Sequence, residues 1–393
     1  MHSRFPARFV YPCEAHAGQY GNRQQEISVS SLAVAGGAAT KARQEFGLLG
    51  ISFWFAFDWT FTHETVPLPR DLVVKFLRQR SGAGGLDVLS QLVWDTPPIA
   101  QADAAEMVAV FPNIKPVRRY FGKEAAIIHD LSPVVTPQFH NADNIFHFAN
   151  RIRSDIETSE HLFCVSQATL TDVEAYFGKP RSEMSVIRLG CEFEPNELSA
   201  GALQLRPELS VERYVVVIGT LEPRKNGSLI FDYLMTDPGF ASRFRIVFVG
   251  RDGWLDEKAR LMNRLDGAGV AADRILFTGF ISNEERTALM LNSAFCIYPS
   301  FFEGFGLPVL EAGALGKVTV CSNSSSMPEV LPEQCVFFDP TEPFEFAQAL
   351  RTAELRAAQT RSAGQSIPDL LQRTAPHGWE RCYAEIARWV KEQ

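Results

Sequence analysis

The sequence predicts an α/β protein made of two doubly wound parallel-sheet domains that face each other across a cleft. Three observations carry this expectation. From about residue 105 onward, short β-rich apolar runs alternate with helical patterns, the alternation that a parallel sheet with crossover helices requires. The runs fall into two groups, separated by a Glu-, Pro-, Ser- and Gly-rich stretch at 192–213 that lacks clear periodicity and reads as a linker. Several runs end in a polar residue or glycine, where an open parallel sheet places its ligand-facing loops.

Taken in order, the first group contains EAAIIHD (124–130) and HLFCVS (161–166). Ser166 is placed to cap a helix that runs to Phe177, with Gly178 as its stop and Pro180 beyond. The second group supplies five buried-strand candidates: RYVVVIGT (213–220), FRIVFVG (244–250), DRILFTGF (273–280), AFCIYPS (294–300) and KVTVCS (317–322). Ser282 and Glu285 form a capping box that opens the helix NEERTALMLN. The expected domains are 1–191 and 214–378, joined by the linker 192–213, with 379–393 as a terminal helix. In the first hundred residues Gly36-Gly37 follows an apolar run, and both a phosphate loop and a plain turn remain open there.

At 393 residues the chain is long enough for two or three domains. Its 46% apolar and 21% charged residues are those of a globular protein with a sizeable core. The net charge of −8, with no run of Lys or Arg longer than two, excludes the electrostatic footprint of a nucleic-acid binder. Seven scattered cysteines without a CxxC pair argue against a disulfide framework or a zinc site. With no secretory signal, a reducing, cytoplasmic location is expected. The apolar stretch Phe46–Phe57 is too short to span a bilayer, so any membrane contact is expected to be peripheral. The aromatic stretch Phe53–Phe61 reads either as a buried strand or as such a contact.

The chemistry is concentrated in SFFEGFGLPVLEA (300–312), where Glu303 and Glu311 are separated by seven residues. Gly304 and Gly306 give a tight loop that feeds a helix N-terminus, with Pro308 in the first turn where it is tolerated. The unpaired N–H groups and the macrodipole there suit a phosphate, and both carboxylates suit sugar hydroxyls. Isolated glutamates are usually a solvated face, so the weight lies in the conjunction with a second loop. That loop is GTLEPRKNG (219–227), directly after the strand YVVVI, where Arg224 offers a fork and Lys225 a point charge to a pyrophosphate. His129-Asp130 ends a strand of the first domain and is expected to face the same cleft. The fingerprint GxGxxG is absent from the 219–227 loop, against a dinucleotide cofactor. No DxD motif stands at a strand end, so no metal is required.

These segments resemble glycosyltransferase family 4, most clearly in GTLEPRKN, VFVG, ILFTGFIS and SFFEGFGLPVLEA, and in the first domain in IIHDLSP and LFCVSQATLTDVEAYF. The resemblance covers roughly residues 105–390 and implies the GT-B architecture, two Rossmann-like domains. It implies that Glu311 binds the donor's ribose and Glu303 the transferred sugar. Arg224 and Lys225 are then expected on the pyrophosphate, the main chain of Gly304, Phe305 and Gly306 on sugar or phosphate, and His129 on the sugar from the opposite domain. Gly219 and Leu307 complete the donor-binding set, and Thr278, Phe280 and Ile281 belong to the region that frames the base. The implied reaction is metal-independent, retaining transfer of a hexose, mannose by similarity of GTLEPRKN and HDLSP to bacterial polysaccharide mannosyltransferases. The donor is a GDP- or UDP-linked sugar, with no cofactor beyond it. The acceptor is a saccharide or lipid-linked oligosaccharide in surface polysaccharide biosynthesis. A nucleotide-sugar epimerase and a catalytically silent sugar-nucleotide-binding module are the alternatives.

Overall fold

The computed structural model describes residues 7–9, 105, 107–112, 115, 118–195, 197–198, 209, 213–251, 257–265, 271–359 and 367–393. The expectations for Gly36-Gly37, for 46–57 and 53–61, and for parts of 192–213 lie outside the described residues.

The N-terminal sheet is parallel, in the order β1 (Ala7–Phe9), β2 (Val108–Phe111), β3 (Lys123–Ile128), β4 (His161–Cys164), β5 (Met184–Val186). Side chains on a strand alternate between faces, and β2 divides accordingly. Ala109 and Phe111 join a core formed with Ile152 and Ile156 of one helix and Leu170 and Val173 of another, while Val108 and Val110 pack on the opposite face. The helices of this domain are α1 (Ser132–Val135), α2 (Ala142–Glu157) and α3 (Gln167–Phe177). The start and stop of α3 follow from its sequence: the Ser166 hydroxyl accepts from the Thr169 N–H at 3.0 Å, and Gly178 takes the left-handed conformation at φ 67°.

The C-terminal sheet has six parallel strands: β6 (Tyr214–Ile218), β7 (Arg245–Val249), β8 (Ile275–Phe277), β9 (Cys296–Tyr298), β10 (Thr319–Ser322) and β11 (Cys335–Phe338). Their spatial order is β11-β10-β9-β6-β7-β8. The chain therefore builds outward from β6 in one direction through β7 and β8, then returns to build in the other direction from β9. The switch lies between β6 and β9, and the carboxyl edge there is where open α/β sheets hold ligands. The helices are α4 (Gly227–Thr236), α5 (Pro238–Arg243), α6 (Glu257–Leu265), α7 (Asn283–Asn292), α8 (Leu307–Ala314), α9 (Pro343–Gln359), α10 (Ile367–Thr374) and α11 (Glu380–Lys391). Strand β6 is buried throughout, with Val215 and Val217 on one core and Tyr214, Val216 and Ile218 on the other, as expected for a strand covered on both faces.

The terminal helix α11 packs on the N-terminal sheet, burying Cys382, Tyr383, Ile386 and Val390 against Val108, Val110, Phe163 and Ile187. The domains also meet beside the switch point. Phe139 stacks on Phe301 with ring centroids 4.9 Å apart. The Glu329 carboxylate accepts from the first two amides of α3, Gln167 and Ala168, both at 2.8 Å, so a negative charge sits on the positive end of that helix. Among the described residues no helix is long and apolar enough to cross a membrane.

Candidate active site

The loop after β6 leaves the sheet through Gly219, whose N–H bonds to Val249 O at 2.9 Å. It then makes one 3₁₀ turn over Pro223–Lys225. Asn226 closes that turn in the left-handed conformation at φ 55°, its side-chain amide bound to Pro340 O at 3.1 Å. This short turn points Arg224 and Lys225 along the sheet edge toward the loop after β9. The alkyl chain of Lys225 lies over Gly219, where an added Cβ would stand 3.4 Å from Lys225 Cε.

Glu303 waits in that second loop, and both cations grip it. Lys225 Nζ donates to Oε1 at 2.6 Å and Arg224 Nη1 pairs with Oε2 at 3.0 Å. Arg224 also donates to Phe302 O at 2.6 Å and to Glu222 Oε1 at 2.7 Å, and Lys225 to the Tyr298 hydroxyl at 2.9 Å. The result is a group of two partly buried cations and two buried carboxylates. Burial alone would raise the Glu303 carboxyl, but Lys225 and Arg224 outweigh it and hold the group at about 2. For Glu222 burial prevails over Arg224 and Lys225, and its carboxyl is pushed up. The Glu303 main chain is fixed as well, since its carbonyl accepts from the Ser325 hydroxyl at 2.5 Å and the Ser326 hydroxyl at 2.9 Å.

Gly304 shows why this loop needs glycine. A Cβ there would lie 1.8 Å from the carbonyl oxygen of His129 in the N-terminal domain, so the approach of the two domains depends on its absence. The Thr169 hydroxyl donates to Gly304 O at 3.3 Å from the same side. Gly306, at φ 100°, turns the chain into α8. Phe305 and Leu307 are partly buried against the core, and Leu307 touches both the C-terminal core and the group around α11.

On α8, Glu311 pairs with Arg286 of α7, Nη2 to Oε1, at 3.1 Å. Burial raises the Glu311 carboxyl against the pull of Arg286, with the Glu197 carboxylate adding to the rise. Just ahead of α7 lie the residues expected to frame a base. Thr278 is engaged by its own loop, its N–H bonded to Phe248 O at 3.0 Å and its hydroxyl to Gly279 O at 2.9 Å. Ile281 packs on the core. The Phe280 ring is 59% exposed, with the Arg251 guanidinium 4.7 Å from its centroid, which leaves an aromatic face at the sheet edge.

The structure thus brings Gly219, Arg224, Lys225, Glu303, Gly304 and Gly306 to one place and sets Glu311 one turn into the helix behind them. His129 meets this group through its main chain. Its ring engages its own domain, Nε2 lying 2.6 Å from Pro112 O. Residues that sequence reasoning missed are Glu222, Tyr298, Arg286, Ser325, Ser326 and Glu329, while Asp130, which the sequence placed at the cleft with His129, is a charge facing Arg224. Glu222 stood in a segment already singled out, and its place beside Arg224 was the available signal. Among the described residues no cluster of three or more His, Cys, Asp or Glu side chains is arranged to hold a metal.

Residues 206–365 match the family described as glycosyl transferases group 1. O-antigen chain mannosyltransferase B of Escherichia coli is 28% identical over 218 residues, covering 54% of this chain and 56% of its own length. The serotype-specific mannosyltransferase WbdA of the same species is 26% identical over 59% of this chain and 29% of WbdA. The chain thus spans about half or less of the length of these relatives. Among solved structures, HepE of Anabaena in complex with UDP and glucose superposes with a TM-score of 0.65 at 17% identity, over 99% of this chain and 100% of that one. A UDP-forming trehalose-phosphate synthase from Burkholderia xenovorans gives 0.60 at 12% identity over 99% of both. These likenesses show the fold: two parallel-sheet α/β domains in the GT-B arrangement.

Proposed function

We propose that this protein is a retaining glycosyltransferase that moves a hexose, mannose in our reading, from a nucleotide diphosphate sugar to a saccharide or lipid-linked saccharide in surface polysaccharide biosynthesis. The observation that carries the reading is the meeting of Arg224, Lys225 and Glu303 at the switch point between β6 and β9. Two cations there suit a diphosphate, and a carboxylate held ionised between them suits a sugar with developing positive charge. Mannose is supported by the names of the relatives, which are mannosyltransferases, and a nucleotide-linked donor by the UDP bound to HepE.

In this reading Arg224 and Lys225 stabilise the charge that grows on the departing phosphate, the preorganised effect that usually supplies most of such a rate enhancement. Glu303 orients the transferred sugar and holds the cations in register. Glu311 accepts from the ribose. The acceptor hydroxyl loses its proton to the departing phosphate, so no side chain is assigned as general base. His129 contributes the close main-chain contact with Gly304 rather than its imidazole, and the site is complete when the two domains are together.

A thermal-shift screen against GDP, UDP, GDP-mannose and UDP-glucose tests the proposal, because a ligand that binds only the folded state raises the melting temperature by mass action. We expect one base to give the larger shift, about 3 kcal/mol of stabilisation at a hundredfold excess over Kd, and its sugar conjugate to support transfer. The absence of any shift with all four would overturn the donor assignment.

A further inference from the structure

The loop that follows β10 touches the Glu303 loop and the N-terminal domain at once. Its serine hydroxyls converge on two carbonyls. Those of Ser322 and Ser324 donate to Ser300 O at 2.7 and 3.2 Å, and those of Ser325 and Ser326 donate to Glu303 O at 2.5 and 2.9 Å. One 3₁₀ turn follows over Met327–Glu329, and Glu329 N donates back to Ser326 O at 3.0 Å. Met327 is buried in the middle of this turn, where a Cβ on Gly306 would stand 2.5 Å from its Cε. At the far end the Glu329 carboxylate holds the Gln167 and Ala168 amides of α3.

The first turn of α3 returns the connection from the other side. The Thr169 hydroxyl, which accepts from Ser166 Oγ at 3.0 Å, itself donates to Gly304 O at 3.3 Å. The Glu303–Gly304 backbone therefore lies inside a ring of contacts that runs through Ser325 and Ser326 to Glu329, then through the start of α3 and back by Thr169. Its bonds from Glu329 to α3 and from Thr169 to Gly304 cross between the domains, so the ring is complete only while the domains are together. The segment is also strained at both ends. Ser325 sits at φ 53° and Leu331 at φ 40°, a region that residues with a side chain avoid. Such a conformation persists where the surrounding contacts over-determine it, and it is characteristic of switch regions.

We propose that residues 325–329 are a strut that couples docking of the N-terminal domain on Glu329 to the placement of Glu303, with Ser325 and Ser326 as positioning residues. The inference rests on the transfer reading given above and deepens it. When Glu329 leaves α3 and Thr169 leaves Gly304, Ser325 relaxes toward an ordinary conformation and its hydroxyl withdraws from the Glu303 carbonyl. The carboxylate between Arg224 and Lys225 then loses its register. Sugar transfer is thereby confined to the closed pair of domains, while the open pair still binds a nucleoside diphosphate through its cations.

The test follows release of nucleoside diphosphate from GDP-mannose and UDP-glucose by the full chain, with calorimetric binding of GDP and UDP alongside. The variants are Glu329→Gln, the pair Ser325→Gly with Ser326→Ala, and the three changes together. The serine pair is expected to lower the rate at saturating donor about fivefold and to leave nucleotide affinity within about twofold of the natural value, a split that a general loss of structure does not give. In that background Glu329→Gln is expected to lower the rate by less than about twofold, because the strut it acts through is already broken. Ser326→Ala alone, expected to lose about threefold, covers the case in which the pair folds poorly. Separate losses that multiply to about twenty-fivefold in the triple variant, or a Ser326→Ala chain as fast as the natural protein, would overturn the strut and leave the transfer reading standing. A natural protein that binds neither GDP nor UDP, or that binds them and releases diphosphate from neither donor, would overturn both.

Discussion

Arg224 and Glu311 are both partly buried charges near the same sheet edge, yet they are used differently. Arg224 commits Nη1 and Nη2 to Phe302, Glu303 and Glu222, leaving only Nε without a partner. Glu311 commits one oxygen to Arg286 and leaves the other unpaired. The two regions also answer to different parts of the chain. The Glu303 loop is braced by the N-terminal domain through Gly304, Thr169 and the Phe139–Phe301 stack, whereas Glu311 is approached by Cys191, at the end of the first domain, and by Glu197 of the segment joining the domains. In the proposed reading the difference teaches how one cleft would handle two ligand chemistries. Charges that must meet a diphosphate are balanced in advance against carboxylates, because two unpaired buried cations would be costly. An acceptor meant for a neutral hydroxyl can be left waiting, at the smaller cost of one open hydrogen bond.

The comparison breaks most visibly at Glu303. Glu303→Gln leaves the two cations with Glu222 beside them and Asp130 facing Arg224, so transfer is expected to fall by about a hundredfold or more and the fold to lose roughly 3 kcal/mol. Nucleoside diphosphate binding should hold or tighten, since the two cations are then released toward phosphate. Calorimetry beside a transfer assay separates these effects. Full activity in the variant would remove Glu303 from the site, and loss of both binding and transfer would make it a folding residue.

A smaller effect is expected where the N-terminal domain braces the phosphate side. Glu329→Gln keeps one acceptor for the amides of Gln167 and Ala168, loses the other, and removes the charge from the helix N-terminus, a difference worth about 1 kcal/mol. If that contact holds the domains together, the turnover rate at saturating donor should fall about fivefold while nucleotide affinity stays constant. Fluorescence transfer between labels on the two domains should report a more open pair. An unchanged rate and an unchanged distance would reduce the contact to surface decoration.

The contrast also explains which parts of the site were legible in the sequence. Arg224, Lys225 and Glu303 can be picked out because each lies in a loop directly after a clear apolar strand, and a parallel sheet sends all such loops to one edge. The caps of α3 and α7 are legible for a related reason, since Ser166 and Ser282 act on amides three residues away. Arg286 is not legible, because an arginine inside NEERTALMLN reads as a solvated helix face until the fold brings α8 against it. The same holds for Glu329, whose partners are 161 and 162 residues away, and for the His129 ring, whose turn toward Pro112 no local pattern announces.

The smallest expected effect is a dependence on pH that separates the two sides. Glu311 is raised by burial, against Arg286 and with Glu197 adding to the rise, so on acidification it takes up its proton before an ordinary carboxylate does. Glu303, held at about 2, stays ionised over the same range. For stability the signs are opposite. A raised carboxyl contributes stability that is lost as pH rises through its folded value, and a depressed one contributes stability lost only as pH falls toward about 2. Neither group therefore unfolds the protein on going from about pH 7 to about pH 5. His161, lowered to about 4 by burial and by Lys179, does erode stability as pH falls below the usual histidine value, so folding is to be checked at each pH by melting. The preference for ribo- over deoxynucleotide should shrink on acidification, because a protonated Glu311 accepts less well. Protonation of the ligand's own phosphate is common to both nucleotides and cancels in the ratio. A preference that stays flat across the window would mean that Glu311 does not meet the ribose as a carboxylate.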